Sequence, residues 1–546
     1  MHRRMVTATG LARSIIALGT LAIVGCRDTR SPSTGETDAT GSMGSEGTTG
    51  GTGAVDSTGT PAGVTYWGDV APLFYARCVT CHQPEGVAPF RLDTYEDAMA
   101  WGPAAAAAVA ERSMPPWSLN ADGSCGTFVD PQWLTDEEIE LVAAWVDEGL
   151  AEGEPQNLQV PEVSSLDESL ELRTPDFVPE IQGGDLAQFD EYRCFLIDVD
   201  VPKDGFITGF DGQPGNVRLI HHMVAMPIDV DLLVTADGRT NGDIIQQLSD
   251  ESPERAGWEC FSRAGEGVVP SGVPITWTPG KGVVEFPEGT GIRVYQGDQF
   301  VVQVHYNLAS EDLIGISDSS AIGVRIEDQV QREAFMFPID PLLDSVFDDE
   351  PTTLEPGQPS VQYTWEMTFD DVLGPLPEVD LFGIFPHMHS YGRKFDMAVH
   401  QGGGSVDCGA QMDRWDFDWQ QLYFYADPIT ITPASRMEVT CDYDTTAATD
   451  PVVPGWGTTN EMCLADLYVV LPPGIPVPPP TDAPQIPGWT CDPYYWGTDD
   501  GCDCGCGVFD PDCVVMTSEV CEYCDNEGSC GMSCDEIDPI DNSTCV

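Results

Sequence analysis

The sequence predicts a multidomain protein, with a small all-α domain first, two mainly β domains next and a small disulfide-rich module last. Three observations support this fold class. A chain of 546 residues is long enough for about three or four domains. Its middle alternates apolar and polar residues in short runs separated by turns, in keeping with 56 glycines and 44 prolines. Ten of the 19 cysteines lie after residue 487, which indicates a separate cysteine-rich module.

The charge balance limits the partners that the chain can bind. It carries 90 acidic and 23 basic residues, a formal net charge of −67. Nucleic-acid binding is excluded, because neutralising phosphates requires lysine and arginine. The same charge disfavours adhesion to anionic lipid surfaces and is typical of a soluble protein outside the cytosol.

Residues 1–25 have the pattern of a secretory signal peptide. Two arginines precede an apolar stretch that runs to Val24, which is too short and wrongly flanked for a transmembrane helix. The following Cys26, after Ile-Val-Gly, resembles a bacterial lipobox and implies lipidation of its sulfur; an ordinary cleaved signal is the alternative. Residues 26–63 are rich in Gly, Ser and Thr and predict a disordered tether. We therefore expect an exported protein of the bacterial cell envelope, held at a membrane only through a lipid anchor.

Residues 64–152 contain a motif for covalent haem attachment. In Cys78-x-x-Cys81-His82, two thiols can bond to the porphyrin vinyl groups while the imidazole binds the iron. A redox-active cysteine pair and half of a zinc site share the same spacing and are the alternatives. Met114, followed by two prolines, can supply the other axial ligand, and a His/Met pairing raises the reduction potential. The motif therefore predicts one covalently bound haem c.

A capped helix is predicted at the end of this region. Thr135 and Glu138 form a capping box, an apolar stripe follows at helical spacing, and Gly149 is placed to end the helix. The order of CxxCH, Met-Pro-Pro and a terminal helix resembles small class I cytochromes c. The resemblance implies that residues 64–152 are an all-α cytochrome c domain.

Most of the eight histidines are candidates for metal binding. His2 belongs to the signal and His82 to the haem motif, which leaves six. Five of the six lie in strand-like apolar surroundings, where a single histidine is usually a buried core residue. Five in a chain so poor in histidine instead predict metal ligands: His221, His222, His305, His387 and His389. The sixth, His400, matches no ligand pattern and is expected at the surface.

The spacing of these five histidines indicates two sites. His387 and His389 point to the same face of an extended chain. Adjacent His221 and His222 point to opposite faces of a regular strand, so joint binding of one ion requires a bulge or a strand end. His305 can then complete a site with three imidazoles.

Met462 is a candidate third ligand for the His387–His389 pair, because it stands at the start of another predicted strand. Imidazole suits zinc, copper, iron and nickel, whereas a thioether favours Cu(I). If Met462 is a ligand, it separates a copper site from a zinc hydrolase.

The order of these residues resembles the copper type II, ascorbate-dependent monooxygenases, which include the peptidylglycine and dopamine β-monooxygenases. All six candidate ligands occur in the family's order. The resemblance implies two jelly-roll-like β-sandwiches, at residues 168–330 and 331–480, with one copper ion each. It assigns an electron-transfer copper to His221, His222 and His305, and an oxygen-activating copper to the catalytic set His387, His389 and Met462.

The resemblance also implies two disulfides. Cys194 and Cys260 lie where the family has a bridge in its first domain. Cys441 and Cys463 lie where it has one in its second domain, so that the second bridge is next to the candidate ligand Met462. Such a bridge restricts the unfolded state.

The sequence departs from the family where substrate is bound. Peptidylglycine enzymes have Arg two residues before the HxH pair, and Asn and Tyr shortly after the methionine. Here those positions hold Phe385, Leu464 and Asp466. A clamp for a peptide carboxylate is therefore not evident, and the substrate stays unnamed.

The last region, residues 487–546, carries ten cysteines and no histidine, and it follows a proline-rich spacer. In an oxidising compartment this composition predicts a small disulfide scaffold. A zinc or iron–sulfur site is the alternative.

These observations predict a copper-dependent monooxygenase that uses O₂ to hydroxylate an aliphatic C–H bond of a small molecule. Two copper ions and the fused haem would supply the redox chemistry, with electrons from a periplasmic or extracellular donor. The alternative is a non-enzymatic electron-transfer or copper-binding lipoprotein that kept the ligands and lost the substrate site. A zinc hydrolase fits less well, because it has no use for Met462.

Overall fold

The computed structural model describes most of the chain from residue 63 onward. The predicted signal peptide, the lipidation candidate Cys26 and the tether up to residue 62 lie outside the described residues. The described residues are 63–84, 88–120, 125–160, 165–181, 190–260, 264–279, 282–308, 313–347, 351–369, 376–417, 419–477, 479–483, 489–491, 502–511, 513, 515–521, 523–524, 529–530 and 533–545. None of the helices within these ranges is long and apolar enough to cross a bilayer.

A small helical domain comes first. After a π-helical turn at Tyr66–Val70, its helices are α1 (Ala71–Arg77), α2 (Tyr95–Ala110) and α3 (Asp136–Asp147). The predicted capping box at the start of α3 is confirmed, because Thr135 and Glu138 each bond the other's backbone N–H. Gly149, just beyond α3, has a φ of +95°, a conformation that favours glycine and ends the helix.

The two ends of the helical domain meet in its apolar core. The ring of Tyr66 packs on that of Trp145, with centroids 5.7 Å apart. The backbone N–H of Tyr66 donates to the carbonyl oxygen of Ala151 at 2.8 Å. Both aromatic side chains are fully buried, so this contact fixes the start of the domain on its last helix.

The first β domain is a sandwich of two antiparallel sheets. Its elements are β1 (Leu170–Arg173), β2 (Asp190–Ile197), β3 (Gly205–Gln213), β4 (Ile220–Ile228), α4 (Asn241–Asp250), β5 (Trp258–Glu259), β6 (Ile275–Trp277), β7 (Val284–Glu285), β8 (Thr290–Val294), β9 (Gln299–Asn307) and β10 (Ala321–Glu327). One sheet has the order β5-β2-β9-β4-β6, and the other has β1-β10-β3-β8, with β7 beside β3. Large buried side chains such as Phe210, Trp277 and Phe300 fill the core between them.

The second β domain has the same layered arrangement. Its elements are β11 (Arg332–Ile339), α5 (Pro341–Asp344), β12 (Val361–Thr368), β13 (Val379–His387), β14 (Gly392–His400), β15 (Val406–Met412), β16 (Tyr423–Ile431), β17 (Arg436–Tyr443) and β18 (Leu464–Val470). One sheet has the order β12-β17-β14-β15, and the other has β11-β18-β13-β16. His400, at the end of β14, is half-buried, with Nε2 4.0 Å from a carboxylate oxygen of Glu438.

One sheet runs through both β domains. Strand β8 of the first pairs in parallel with β11 of the second, with Thr290 opposite Arg332 and Ile292 opposite Ala334. The result is a nine-stranded sheet. Because its backbone hydrogen bonds cross the domain boundary, the two sandwiches hold a defined position relative to each other.

The helical domain is attached to the second β domain rather than to the first. Cys125, which had no predicted partner, forms a disulfide with Cys408, also unassigned from sequence, across 283 residues of chain. Phe128 forms an isolated antiparallel bridge with Tyr425 at the edge of the second domain. Trp117 packs edge-on against Tyr423, with ring centroids 4.9 Å apart. The segment between α2 and α3 therefore contributes to the core of the second domain.

The C-terminal region is a disulfide scaffold, as predicted. Five bridges join its ten cysteines, namely 491–506, 502–513, 504–521, 524–534 and 530–545. Cys502, Cys504 and Cys521 lie close together, but each is already bonded, which argues against the zinc and iron–sulfur alternatives. The short strands β19 (Ile537–Asp538) and β20 (Asp541–Cys545) close the module.

The other disulfides also fit an oxidising environment. Cys194 is bonded to Cys260 and Cys441 to Cys463, the pairs that the resemblance implied. Together with the bridge to the helical domain and the five of the tail, they indicate an exported protein.

Candidate metal sites

Three histidines of the first β domain converge beside the start of β4. The register between β4 and β9 shifts between Ile220 and His222, so His221 is the bulged residue, and the predicted need for a bulge is confirmed. The rings of His221 and His222 then both face His305, with centroids 4.8 and 4.9 Å from it. One nitrogen of each ring lies within 4.8 Å of the other two.

A buried carboxylate determines which nitrogen of His305 faces this cluster. Nε2 of His305 lies 3.1 Å from Oδ1 of Asp190. Because a carboxylate can only accept, Nε2 carries the proton and Nδ1 is left with a lone pair. Nδ1 has no hydrogen-bond partner among the described residues. Since the Nδ1 atoms of His221 and His222 are 3.2 Å apart, the three Nδ1 atoms can bind one ion.

Two of these imidazoles, those of His221 and His222, are neutral in the folded protein. Burial lowers the pKa of His221 and of His222 well below the usual value, and the neighbouring ring of His305 lowers both further. A metal ion therefore has no proton to displace from them at neutral pH.

The second set lies where two paired strands end. His387 is the last residue of β13, His389 follows two residues later, and Met462 stands two residues before β18 begins. Strands β13 and β18 are antiparallel neighbours, and their pairing ends with His387 opposite Leu464. This register brings the three side chains to the wall of one cavity. The two imidazole rings are perpendicular, with centroids 4.9 Å apart.

Hydrogen bonds fix the tautomers of both histidines in this set. Nε2 of Gln420 donates to the carbonyl oxygen of Phe417 at 2.8 Å, so its Oε1 faces Nδ1 of His387 and accepts from it. Nδ1 of His389 lies 3.2 Å from the carbonyl oxygen of Asn460, which likewise can only accept. Nε2 of both rings is therefore available to a metal. Burial lowers the pKa of His387 to about 4, so its ring is neutral.

The backbone around Met462 is held on both sides. The buried carboxylate of Glu461 accepts a hydrogen bond from the backbone N–H of His389 at 2.9 Å. On the other side, Cys463 is covalently bonded to Cys441. The Met462 side chain is 6% exposed, so its thioether has little freedom to leave the site.

The second set and His222 of the first set face one cavity between the two β domains. It encloses about 330 Å³, a volume suited to a small molecule. The lining includes His222 from the first set and His387, His389 and Met462 from the second. Much of the remaining wall is apolar, with Val224, Val273, Leu343, Phe385, Trp456 and Leu464.

Two further residues connect the sets. The ring of Phe417 stacks on His221 at a centroid distance of 4.2 Å and stands perpendicular to His389 at 6.0 Å. Asp190, whose Oδ1 bonds His305, accepts with Oδ2 from the backbone N–H of Thr458 at 3.1 Å. Thr458 belongs to the loop that carries Asn460, so one carboxylate links the ligands of both sets.

The sequence of the second β domain matches a known family. Residues 348–473 match the description "Copper type II ascorbate-dependent monooxygenase, C-terminal domain". Over this range the chain is similar to the copper type II monooxygenases. The matched range contains the whole set of His387, His389 and Met462. The family match therefore includes the candidate site of the second β domain.

Curated relatives agree with this family. The chain is 23% identical over 364 residues to the tyramine beta-hydroxylase of Caenorhabditis briggsae, covering 62% of this chain and 54% of that protein. It is 26% identical over 198 residues to the putative DBH-like monooxygenase protein 2 of Homo sapiens, covering 34% of this chain and 37% of that protein. The chain thus spans about half the length, or less, of these relatives.

Among solved structures, the VP2 subviral particle of infectious bursal disease virus aligns with a TM-score of 0.15 and 8% identity, covering 55% of this chain and 75% of that one. A similarity this low gives no information on the fold.

The residues that replace the family's peptide clamp all line the cavity. Phe385 belongs to β13, and Leu464 and Asp466 belong to β18. The departure from the peptidylglycine pattern is therefore located at the cavity wall, beside His387 and Met462.

The candidate haem ligands lie in the helical domain. Cys78 and Cys81 are the two free cysteines of the described residues. Nδ1 of His82 lies 3.0 Å from the carbonyl oxygen of Phe90, so Nδ1 carries the proton and Nε2 is free for iron. These three residues fit covalent haem attachment.

Met114 is distant from the CxxCH motif in sequence but packs against the same helical core as Cys78. It also lines a cleft of about 210 Å³ that reaches Asp413 and Arg414 of the second β domain. Cys78, Cys81 and His82 are not among the residues lining that cleft.

Sequence reasoning missed the residues that orient the histidines. Gln420 and Asn460 lie in loops without a recognisable pattern, and only the fold makes them partners of His387 and His389. Asp190 carries a weak signal, because it is an acidic residue at the start of a strand whose residues are nearly all buried. A buried carboxylate in that position needs a partner.

Proposed function

We propose that the protein is a copper-dependent monooxygenase that hydroxylates an aliphatic C–H bond of a small molecule with O₂. The observation that supports this best is a cavity lined by the whole second ligand set and by His222 of the first set. Three imidazoles stand on the first domain, and two imidazoles with a thioether stand on the second. Imidazole with thioether is a donor set that favours copper over zinc.

His221, His222 and His305 would hold one copper ion, and His387, His389 and Met462 the other. When bound, copper supplies one-electron steps and the activation of O₂. The chain's own residues prepare both sites. Asp190, Gln420 and Asn460 fix the proton of each bonded imidazole on the side away from the ion, and the cavity wall limits access of water.

The haem motif gives the proposal a source of electrons. The chemistry consumes two electrons for each O₂, and the helical domain with Cys78, Cys81, His82 and Met114 would carry one haem c. An external periplasmic or extracellular one-electron donor would reduce that haem. The disulfide between Cys125 and Cys408 supports the idea, because it ties the helical domain to the domain that carries Met462.

The substrate is proposed to be small and largely apolar. The cavity has an apolar wall, with Phe385 and Leu464 where peptidylglycine enzymes have polar clamp residues. A substrate panel should begin with tyramine, because one relative carries that compound in its name. Peptides ending in glycine serve as the comparison, and we expect no reaction with them.

A metal count followed by O₂ uptake tests the proposal. We expect about two copper ions and one haem iron per chain, from the two donor sets and the CxxCH motif. Reduced, copper-loaded protein should take up O₂ faster with a substrate than without one. The copper-free protein, with its haem intact, is the control and should not respond. Zinc in both sites, or no copper, would contradict the proposal.

The alternative is an electron-transfer or copper-binding lipoprotein without enzymatic activity. The replacement of all three clamp positions, Phe385, Leu464 and Asp466, is the observation in its favour. It predicts the same copper and haem content but no substrate-dependent O₂ uptake with any member of the panel. The single measurement therefore separates the two functions.

A further inference from the structure

The helical domain meets the second β domain along the segment between α2 and α3, which also contains Met114. Arg414 donates to the carbonyl oxygens of Glu111 at 2.8 Å and of Arg112 at 3.1 Å. Asn120 donates to a carboxylate oxygen of Asp413 at 2.8 Å. These hydrogen bonds and the Cys125–Cys408 bridge hold the segment in one position on the second domain.

One contact of this interface leads toward the metal ligands. Nε2 of Gln421 donates to the carbonyl oxygen of Pro116 at 3.3 Å, and Pro116 is two residues after Met114. The preceding residue, Gln420, accepts from Nδ1 of His387. Two hydrogen bonds and the covalent chain between them thus connect a candidate haem ligand with a candidate copper ligand.

Gln420 is fixed from several directions. It is 4% exposed, its Nε2 donates to the carbonyl oxygen of Phe417 at 2.8 Å, and its own carbonyl oxygen accepts from the hydroxyl of Thr278 in the first β domain. A residue held on three sides keeps the same orientation toward His387, which a defined electronic connection requires.

We propose that Gln421 and Gln420 are positioning residues on the route by which electrons pass from the helical domain to the second β domain, entering at His387. This inference rests on the proposed function, in which the helical domain carries haem and His387 binds copper. With both groups bound, each transfer would move one electron from a haem held by the helical domain to a copper ion held at His387, oxidising the haem iron and reducing the copper. No proton moves with the electron, because Nδ1 of His387 keeps its proton and donates it in the hydrogen bond to Oε1 of Gln420. An external one-electron donor restores the ferrous haem for the second transfer.

The route is tested by anaerobic electron transfer within a single molecule, without substrate or O₂. Protein carrying haem and Cu(II) is photoreduced at the haem by a flash, and the haem absorbance then reports its reoxidation. We expect fast reoxidation in the natural protein. Gln421→Leu keeps the side-chain bulk and removes the donor to Pro116, and Gln421→Glu keeps the length and replaces the donor by an acceptor. Both should slow the reoxidation several-fold at unchanged haem and copper content.

Asn120→Leu is the matched control, because it removes a hydrogen bond of the same interface that is not on the route. Its reoxidation rate should equal that of the natural protein. If Asn120→Leu slows the reaction as much as the Gln421 variants do, the route is wrong.

The outcomes distinguish this inference from the proposed function. Absence of haem, or no copper-dependent reoxidation in the natural protein, contradicts the haem part of the proposed function. Fast reoxidation in the natural protein and in both Gln421 variants contradicts the route alone and leaves the proposed function in place.

Discussion

Met462 is the side chain on which the choice of metal depends. Its thioether lines the cavity with His387 and His389, between the anchored residues Glu461 and Cys463. We expect Met462→Ile to keep the fold at a cost of about 1 kcal/mol, because the two side chains are similar in volume. The variant should keep copper at the three-histidine set and lose O₂ chemistry.

Copper analysis with O₂ uptake checks this prediction, and Met437→Ile is the matched control. Met437 is fully buried in the core of the same domain and does not line the cavity. Full oxygen reactivity in the Met462 variant would show that this sulfur is not a ligand.

Asp298 gives the protein a pH-dependent stability. This carboxyl is 3% exposed, accepts from the backbone N–H of Tyr295 at 2.8 Å, and burial raises its pKa from 3.8 to about 6. The folded state holds the proton more tightly than the unfolded state. The protonated carboxyl of Asp298 therefore contributes fully to the free energy of unfolding below about pH 4, and this contribution is lost as the pH rises through 6.

The free energy of unfolding of Asp298→Asn should therefore rise by about 2–3 kcal/mol relative to that of the natural protein as the pH goes from 4 to 7. Calorimetric melting temperatures at both pH values measure the change. Asp204→Asn, which removes an exposed carboxylate that bonds the neighbouring Gln296, is the control. Equal pH slopes for the natural protein and Asp298→Asn would contradict the assignment.

At the scale of single elements, the loop of residues 451–461 is bound to strand β2 through Asp190. That carboxylate bonds both His305 and the backbone of Thr458. Asp190→Ala leaves two buried donors without an acceptor, and we expect the free energy of unfolding to fall by about 2–4 kcal/mol. Copper should be lost first from the three-histidine set.

Hydrogen exchange of Thr458 and Asn460 measures the loosening of that loop, and copper analysis measures the site. Asp200→Ala, which removes an exposed carboxylate near the end of β2, should change neither. Normal protection of Thr458 in the Asp190 variant would show that the carboxylate does not hold the loop.

The strand elements that carry ligands could be predicted, but the loops that orient them could not. Adjacent His221 and His222 in an apolar run require a bulge, and the β4–β9 register has one. His387 and His389 follow the alternation of an extended chain. Gln420 is different, because its role depends on the position of Phe417 and on the end of β13, neither of which leaves a local pattern in the sequence.

At the scale of the whole molecule, the disulfide between Cys125 and Cys408 could not be predicted from the sequence. Nineteen cysteines permit many pairings, and these two are 283 residues apart. The resemblance covered the two pairs that lie inside the β domains. It had no equivalent for a bridge to an added helical domain.

Replacing both cysteines, as Cys125→Ser with Cys408→Ser, should destabilise the attachment by about 2–4 kcal/mol, because the bridge no longer restricts the unfolded chain. We expect a separate, earlier melting transition for the helical domain. Calorimetry and limited proteolysis between α2 and α3 measure it. A single transition at the natural temperature would mean that the noncovalent contacts of Trp117 and Phe128 are sufficient.

A lipid anchor at Cys26 is a prediction from the sequence. The lipobox resemblance predicts that Cys26→Ala moves the protein from the membrane fraction to the soluble fraction, because the variant has no sulfur to lipidate at that position. Fractionation with immunodetection of the intact chain is the measurement. A variant that still sediments with membranes would contradict the lipoprotein prediction.

The Cys125–Cys408 disulfide between the helical domain and the second β domain also affects how the protein is made. During export Cys125 emerges well before Cys408, and Cys194 emerges between them. Pairing cysteines in their order of appearance would join Cys125 to Cys194 and leave Cys260 without its native partner. Correct assembly therefore requires Cys125 to wait, or a wrong bridge to be exchanged, while Cys78 and Cys81 stay outside these bridges. Yield from a host should accordingly depend on disulfide isomerase activity more than on oxidising strength.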